Sequence, residues 1–236
     1  MEGVFPARGG SAVAMLARDP EAPGKTRLGP DGPAARALRA ALLLDSIEAV
    51  VSAGLPLVVF VTPGDRVDAV RARVSGDAAL AGLTGVEVVP QAEGDLGARM
   101  TSAIADLLAR GHDAVVLVGS DAPDLPAAVV AEAVEAVAAG GPRRVVFGPA
   151  EDGGFYLVAS REVPTGVFDG VAWSRPEVLA AVTTRAVAAG WEVAHVRRWR
   201  DVDTPADLAA LVDRRGPGAV RTRALLAAAG RGPGGG

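Results

Sequence analysis

Short apolar runs rich in β-branched residues alternate with longer Ala- and Leu-rich stretches along most of the chain, and this alternation constrains the fold more than any other feature. The short runs have the length of strands, whereas the longer stretches place apolar residues three and four positions apart, as amphipathic helices do. The run at 115–118 is apolar throughout, which is typical of a strand covered by helices on both faces of a mainly parallel sheet. The pattern therefore predicts a three-layer α/β fold.

The predicted elements are seven strands and six helices, in an order that begins with a strand. Asp31-Gly32-Pro33, Ser174-Arg175-Pro176 and Thr204-Pro205 mark helix starts, because each offers a capping side chain or a proline in the first turn. The strands are expected at 12–17, 57–62, 86–89, 114–119, 144–148, 155–159 and 192–196. The helices are expected at 33–53, 66–74, 96–110, 126–139, 175–189 and 205–214.

The length of 236 residues suits one domain, because a single core grows to about 250 residues before it splits. Residues 215–236 combine Gly, Pro and Arg around a short Ala/Leu segment and end in three glycines, so they predict a flexible C-terminal tail. We expect residues 1–10 to be a flexible N-terminus and residues 11–214 to form the functional domain.

Charge and composition exclude several classes of protein. The 24 basic and 28 acidic residues leave a net charge of −4, and the isoelectric point is about 5.3. This balance argues against a domain that binds nucleic-acid backbones or anionic membranes. The absence of cysteine removes disulfides, thiolate metal sites and cysteine nucleophiles. We expect a cytoplasmic protein, since residues 1–10 lack a targeting pattern and no apolar stretch reaches the roughly 18 residues that span a bilayer.

Ligands of open α/β sheets bind beyond the carboxyl ends of the strands, which directs attention to the polar loops at 18–30, 119–126, 149–154 and 200–207. The first loop contains Arg27 and Lys25, the single lysine in a chain with 23 arginines. Asp19 stands where a P-loop requires glycine, so a P-loop is excluded. An ammonium and a forked guanidinium suit a polyphosphate, and this favours phosphate binding over a pair of solvated loop charges.

Aspartates follow two later strands. Asp121 can bind a hard divalent cation whose other ligands are phosphates and water, and the alternative role of a helix cap fits Asp124 better. In the last loop, Thr204 is expected to cap a helix. Asp203 either supplies a second carboxylate to the same ion or caps that helix, and the residues themselves leave both roles open.

The segment at 151–154 reads Glu-Asp-Gly-Gly. The two glycines permit a close approach of the backbone to a ligand, and Glu151 or Asp152 can bind an acceptor or accept a proton from it. A tight turn with exposed acids is the alternative. His112 follows a helix end and His195 lies in a strand pattern, so both are expected to be structural.

Together these loops resemble the rSAM/selenodomain-associated transferase family, also described as arsenosugar-biosynthesis glycosyltransferases, of the GT-A nucleotide-diphospho-sugar transferase superfamily. The resemblance covers residues 11–214 and departs from the family at Phe155, where relatives often have a tyrosine. The first loop and the Asp-x-Pro segment also look like those of 2-phospho-L-lactate guanylyltransferase and, more distantly, the molybdenum-cofactor nucleotidyltransferases. The matching motifs are Lys25-Thr26-Arg27-Leu28, Gly119-Ser120-Asp121-Ala122-Pro123-Asp124-Leu125, Glu151-Asp152-Gly153-Gly154-Phe155-Tyr156-Leu157, Phe168-Asp169-Gly170-Val171-Ala172-Trp173-Ser174 and Asp201-Val202-Asp203-Thr204-Pro205.

The resemblance implies a single Rossmann-like GT-A domain with a mixed, mainly parallel sheet. From the loop residues, Lys25, Arg27 and Asp121 are predicted to be catalytic, and Asp121 and Asp203 are predicted to hold Mg²⁺, with Mn²⁺ as the alternative ion. The residues expected to bind the nucleotide are Ala17, Arg18, Gly24, Lys25, Thr26, Arg27, Gly119 and Ser120. The residues expected to bind the acceptor are Glu151, Asp152, Gly153, Gly154, Trp173 and Ser174.

Two reactions fit these residues. In the first, which the cationic first loop favours, a nucleotidyltransferase with Mg²⁺ joins a nucleoside monophosphate from a nucleoside triphosphate to a phosphorylated small-molecule acceptor and releases pyrophosphate. In the second, a glycosyltransferase uses a nucleotide-diphospho-sugar, and Glu151 or Asp152 activates an acceptor hydroxyl. A nucleotide-binding regulator without catalytic activity is a lesser alternative. The expected partners are a nucleotide or nucleotide-sugar and a small acceptor, not a nucleic acid or a membrane.

Overall fold

A computed structural model of the chain describes residues 9–23, 26–83, 85–214 and 216–229. In this part of the chain seven strands and seven α-helices form, and every predicted strand and helix is confirmed to within about three residues at its ends. The strands are β1 Ser11–Arg18, β2 Leu57–Thr62, β3 Val86–Pro90, β4 Ala114–Gly119, β5 Arg144–Pro149, β6 Phe155–Ser160 and β7 Glu192–His195. The helices are α1 Pro33–Val51, α2 Val67–Gly76, α3 Leu96–Ala109, α4 Ala127–Ala138, α5 Val178–Ala188, α6 Pro205–Asp213 and α7 Val220–Ala229.

The strands form one sheet in the order β3-β2-β1-β4-β6-β5-β7. Strand β6 runs antiparallel to its neighbours β4 and β5, and the other adjacent pairs are parallel. The inversion follows from the short connection at 150–154, because a parallel return would need a long crossover. The predicted α/β fold with a mixed, mainly parallel sheet between helices is confirmed.

Apolar side chains on both faces of the sheet build the core. Strand β1 supplies Val13, Met15 and Ala17 to one face and Ala12 and Ala14 to the other, because successive strand residues point to opposite faces. Helices α1, α2 and α4 cover the first face, and α3 and α5 cover the second. The sheet is therefore buried on both sides, as the apolar run in β4 predicted.

Residues 220–229, which were predicted to belong to a flexible tail, form the helix α7. Its Leu225 and Leu226 pack against a third apolar cluster, which α1 and α6 also supply. Asp45 of α1 accepts hydrogen bonds from the backbone N–H groups of Arg221 and Thr222, and so satisfies donors at the start of α7. The compact unit thus extends beyond the predicted boundary at 214. Residues 1–8, 215 and 230–236, also predicted to be flexible, lie outside the described residues.

None of the helices in the described part of the chain combines the length and apolarity needed to cross a bilayer.

Candidate functional site

A cavity of about 480 Å³ opens beyond the carboxyl ends of β1 and β4. Leu16 of β1 and Gly119 of β4, which are paired in the sheet, both line it. The amino end of β6 reaches the same edge because β6 runs antiparallel to β4, and Phe155 and Tyr156 line the cavity there. This is the edge where ligands of open α/β sheets bind.

The first loop, expected to bind the nucleotide, reaches this cavity through Arg27. Arg27 is exposed and lies in a short 3-10 turn, Thr26–Leu28. Gly24 and Lys25 lie outside the described residues, so their expected roles stay predictions. The described part of the loop therefore supplies one cation to the cavity.

The base of this loop is anchored rather than open to a ligand. Ala17 is buried, and the Arg18 guanidinium donates a hydrogen bond to the Pro23 carbonyl at 2.8 Å. Neither residue lines the cavity. Asp19, which is 1% exposed, accepts a hydrogen bond from Arg66 Nε at 2.5 Å. A buried carboxylate paired in this way holds the loop entry in one geometry.

The loop after β4 begins with Gly119 and Ser120, which were also expected near the nucleotide. Gly119 lines the cavity and Ser120 does not. The Ser120 carbonyl instead accepts a hydrogen bond from Ser46 Oγ at 3.0 Å, and this bond fastens the loop to α1. Asp121 follows directly and lines the cavity.

Four carboxylates converge on the cavity from three loops: Asp121, Asp152, Asp201 and Asp203. The backbone N–H of Val202 donates to the Asp121 carbonyl at 2.8 Å, so the last loop is joined to the loop after β4. Asp201 and Asp203 flank Val202 and both face the cavity, because alternate residues of an extended segment point the same way.

The two predicted roles of Asp203 are separated by the capping geometry. Thr204 is the N-cap of α6 and accepts a hydrogen bond from the Asp207 N–H, while the Asp207 carboxylate accepts one from the Thr204 N–H. This reciprocal capping box satisfies the helix start without the Asp203 side chain. Capping by Thr204 is therefore confirmed, and Asp203 is left to the cavity.

The interpretation of Asp124 as a helix cap is wrong. Pro126 occupies the N-cap position of α4, and no side chain caps that helix. Asp124 is buried and accepts hydrogen bonds from Arg214 Nε at 3.1 Å and Trp199 Nε1 at 3.3 Å. Asp124 thus ties the loop that contains Asp121 to the segment that precedes Asp201 and to the end of α6.

Asp201 has the most perturbed carboxylate of the cavity. Burial is the largest cause that raises its pKa from the usual 3.8 to about 6, and the charges of Asp203, Asp152 and Asp121 contribute to the same rise. Asp201 was not among the residues predicted to form the site. Its position two residues before Asp203 was the available signal, since that spacing puts both side chains on one side of an extended chain.

Replacing Asp201 by asparagine is expected to raise the free energy of unfolding by about 2 kcal/mol at neutral pH, with partial exposure reducing the full electrostatic value. The raised folded-state pKa means that the native state binds more protons than the unfolded state between 3.8 and about 6, so wild-type stability falls as pH rises through this range. Urea unfolding without divalent metal should show a gain for the variant at pH 7.5 that shrinks at pH 4.5. A gain that does not change with pH would contradict the electrostatic cause.

The residues expected to bind the acceptor divide into two groups. Asp152, Gly154, Trp173 and Ser174 line the cavity. Glu151 does not line it and instead forms an ion pair with the guanidinium of Arg200. Asp152 faces the cavity from a tight turn, in which its Oδ1 accepts a hydrogen bond from the Gly154 N–H at 2.9 Å.

Gly153 makes a close approach, but to the chain itself and not to a ligand. A Cβ at this position would lie 2.0 Å from the Pro176 carbonyl oxygen, and its φ of +90° favours glycine. The Gly153 carbonyl also accepts a hydrogen bond from the Leu179 N–H at 3.0 Å. The predicted reason for this glycine, a close approach to a ligand, is therefore corrected. The glycine allows the segment 173–176 to pack against the loop at 151–154.

An aromatic group forms the apolar side of the cavity. Phe155 and Trp173 line it, with ring centroids 6.4 Å apart, and Phe168 packs behind both. Leu96 and Met100 of α3 complete this side. The cavity therefore combines an apolar wall with a carboxylate-rich wall, as sites for small organic ligands commonly do.

Asp121 and Asp203 are the carboxylates expected to hold a divalent cation, and both line the cavity. Across residues 9–23, 26–83, 85–214 and 216–229, no group of three histidine or acidic side chains is placed to hold a metal ion. Mg²⁺ is commonly held by one or two carboxylates together with substrate phosphates and water. The donor set therefore fits a cation that binds with a phosphorylated substrate. His112 and His195 do not line the cavity.

Comparison with protein families gives one match. The model of DUF2064, described as "Uncharacterized protein conserved in bacteria", matches residues 44–175, which include Asp121 and the loop at 151–154. The search of curated proteins found no match.

Several solved structures are similar to this chain. A protein from Desulfovibrio desulfuricans G20, provisionally described as a nucleotide-diphospho-sugar transferase, is 31% identical with a TM-score of 0.77, over 92% of this chain and 94% of that chain. CMP:2-keto-3-deoxy-manno-octonic acid synthetase, solved with CTP, is 16% identical with a TM-score of 0.53, over 93% of this chain and 99% of that chain. A cytidylyltransferase from Leptospira borgpetersenii serovar Hardjo-bovis is 14% identical with a TM-score of 0.54, over 94% of each chain. The last two matches show a shared fold.

Proposed function

Because the chain belongs to the DUF2064 family and shares its fold with transferases that use nucleotides, we propose that it is a magnesium-dependent nucleotidyltransferase. The reaction joins a nucleoside monophosphate from a nucleoside triphosphate to a phosphorylated small-molecule acceptor and releases pyrophosphate. The observation that carries this proposal is that Arg27, Asp121 and Asp203 line one cavity. A cation and two carboxylates are the groups needed to bind a triphosphate with its metal.

The proposed reaction requires no proton transfer. A phosphate oxygen of the acceptor attacks the α-phosphorus in line, and a new phosphorus–oxygen bond forms. The bond from that phosphorus to the bridging oxygen breaks, and pyrophosphate leaves with the electron pair. An ionised phosphate is already a nucleophile, so no residue has to act as a general base.

Arg27 binds the triphosphate and stabilises the charge that gathers on the leaving pyrophosphate. We assign the same role to Lys25, on the basis of its place in the loop sequence. Mg²⁺, when bound by Asp121 and Asp203, would neutralise phosphate charge. The buried network around Asp124 keeps these two aspartates on one side of the cavity.

Glycosyl transfer is the second candidate, and the observation that favours it is Asp152. Its carboxylate faces the same cavity, where it can accept a proton from an acceptor hydroxyl as a nucleotide-sugar loses its diphosphate. The relative from Desulfovibrio desulfuricans carries a description of this kind. In both candidates the chain is an enzyme that transfers a group from a nucleotide, and not a regulator.

We also retain the closer kinship with the rSAM/selenodomain-associated transferases as a proposal, which rests on the motifs of the sequence. A cytoplasmic location is proposed with it, because the donor would be a nucleoside triphosphate.

A thermal-shift panel of nucleoside triphosphates and nucleotide-sugars, each with and without Mg²⁺, tests the function. A triphosphate at about 100 times its Kd stabilises the folded state by about 2.7 kcal/mol, which corresponds to a rise in Tm of about 5 to 10 °C for a chain of this size. Because two carboxylates alone make an incomplete metal site, we expect this rise with triphosphate and Mg²⁺ together and little change with Mg²⁺ alone.

The outcomes separate the candidates. A magnesium-dependent rise that is largest for one free triphosphate supports nucleotidyl transfer and identifies the base. A larger rise for a nucleotide-sugar than for its triphosphate would favour glycosyl transfer. If no nucleotide changed the Tm, both candidates would be rejected.

A further inference from the structure

The segment 173–176 lines the cavity, as do the loops that carry Asp121, Asp201 and Asp203. Trp173 packs in the apolar cluster on the face of the sheet that α3 and α5 cover. Val202, between Asp201 and Asp203, packs in the cluster that α1 and α6 supply. The two parts of the lining therefore rest on different apolar clusters and come together at the cavity.

One cation of this segment lacks a partner among the described residues. Arg175 is exposed, lines the cavity and forms no ion pair with any described residue. Arg200 and Arg214, which do not line the cavity, are paired with Glu151 and Asp124. A cation without an internal partner at the edge of a cavity is suited to an anionic ligand.

The segment is held in place. Ser174 has a φ of 63°, in the left-handed region that residues with a Cβ rarely adopt, and it lines the cavity. Such backbone strain is concentrated at ligand sites and persists where neighbouring contacts enforce it. In this segment those contacts are the close packing of Pro176 on Gly153 and the hydrogen bond from the Leu179 N–H to the Gly153 carbonyl.

The negative charge of the cavity means that an anionic acceptor needs a cation to bind there. An anionic acceptor that enters beside a triphosphate meets four carboxylates and a polyphosphate, and like charges repel strongly at short range. Arg27 belongs to the loop assigned to the triphosphate, so it is already engaged. Arg175 is a second cation that lines the cavity, and its forked guanidinium matches a phosphate.

We propose that the segment 173–176 is the acceptor subsite, in which Arg175 binds the acceptor phosphate. This inference rests on the proposed nucleotidyl transfer for its chemistry and names the residue that selects a phosphorylated acceptor over a neutral one. Phe155 and Trp173 supply the apolar surface against which the rest of the acceptor packs.

The test uses glycerol 3-phosphate and glucose 1-phosphate as probes, with glycerol and glucose as their uncharged counterparts. Calorimetric titration of the full chain is expected to detect binding of the phosphate esters and not of the uncharged compounds. Arg175→Gln should weaken binding of the esters by about tenfold or more, since a hydrogen-bonded charge is removed.

The matched control is Arg198→Gln, which removes one exposed arginine that does not line the cavity and should leave ester binding unchanged. The rise in Tm with triphosphate and Mg²⁺ should be the same in Arg175→Gln as in the wild type. Unchanged ester binding in Arg175→Gln would overturn the subsite, and so would glucose binding as tightly as its phosphate. Loss of the triphosphate response in that variant would also overturn it, because Arg175 would then belong to the nucleotide.

Failure of the subsite and failure of the proposed function give different results. Ester binding that depends on Arg175, with no response to any nucleotide, would support the subsite and reject nucleotidyl transfer. A normal nucleotide response with ester binding independent of Arg175 would reject the subsite and leave nucleotidyl transfer standing.

Discussion

Replacing Arg221 by alanine is expected to lower the free energy of unfolding by about 3 to 5 kcal/mol, because it leaves buried carboxylates without a counter-charge. The guanidinium of Arg221 lies 2.9 Å from Asp45 Oδ1, 2.5 Å from Glu48 Oε2 and 2.5 Å from Asp77 Oδ1. The side chain of Asp45 is 1% exposed and that of Asp77 is 18% exposed, so both carboxylates are mostly buried where Arg221 pairs with them. Arg221 therefore fastens α7 to both α1 and the end of α2.

In urea unfolding, the Arg221 variant should have a lower midpoint than the wild type and an unchanged m-value. Arg161→Ala is the matched control, since Arg161 is exposed and its replacement should change stability by no more than about 0.5 kcal/mol. A loss below about 1 kcal/mol for the Arg221 variant would mean that the ion pairs are solvated and that α7 is held by its apolar contacts alone.

The loss of stability in the Arg221 variant is expected to depend on pH. The hydrogen bond from Arg221 lowers the pKa of Asp77 below its usual 3.8. A depressed folded-state pKa contributes stability above the unfolded value and loses it as pH falls through the folded value. The difference in the free energy of unfolding between the wild type and the Arg221 variant should therefore be largest near neutral pH and should decrease below about pH 4.

Replacing Asp121 by asparagine is expected to lower turnover by about 100-fold or more, because a neutral amide is a poor ligand for Mg²⁺ and no longer balances its charge. The fold should be retained, since the Asp121 group that joins the loops is its backbone carbonyl, which accepts from the Val202 N–H at 2.8 Å. Pyrophosphate release measured against Mg²⁺ concentration should show both a lower maximum and a higher Mg²⁺ requirement.

Asp68→Asn on α2 is the control for this change, because the Asp68 side chain is 92% exposed and lies outside the cavity. Asp152→Asn then separates the two candidate reactions. Nucleotidyl transfer to a phosphate should survive it, whereas glycosyl transfer with Asp152 as the base should collapse. Wild-type turnover in the Asp121 variant would remove Asp121 from the metal site.

The strands and most helices could be predicted because their signals are local. The period of apolar residues and the caps act over one or two turns, so the boundaries of β2 and β4 follow from sequence alone. Helix α7 lacked such a signal. Its helical state depends on Asp45, which lies more than 170 positions earlier in the chain and satisfies its first N–H groups.

The placement of Asp121 and Asp203 in one cavity could also be anticipated, because the carboxyl ends of parallel strands share one edge of the sheet. Arg175 could not be found in this way. Its segment is held at the cavity by the close approach of Pro176 to Gly153, and no local pattern in the sequence indicates that contact.

By itself, the sequence determined the layers of this protein, the type and order of most of its elements and the edge at which its polar loops gather. These properties follow from periodicity and chain direction, which neighbouring residues encode. Only the tertiary structure decided that Asp124 braces a loop, that Thr204 and Asp207 cap α6 without the Asp203 side chain, that Asp201 lines the cavity beside Asp203, and that Arg175 lines the same cavity. Those roles arise where distant segments meet, and burial and charge at such places depend on which segments those are.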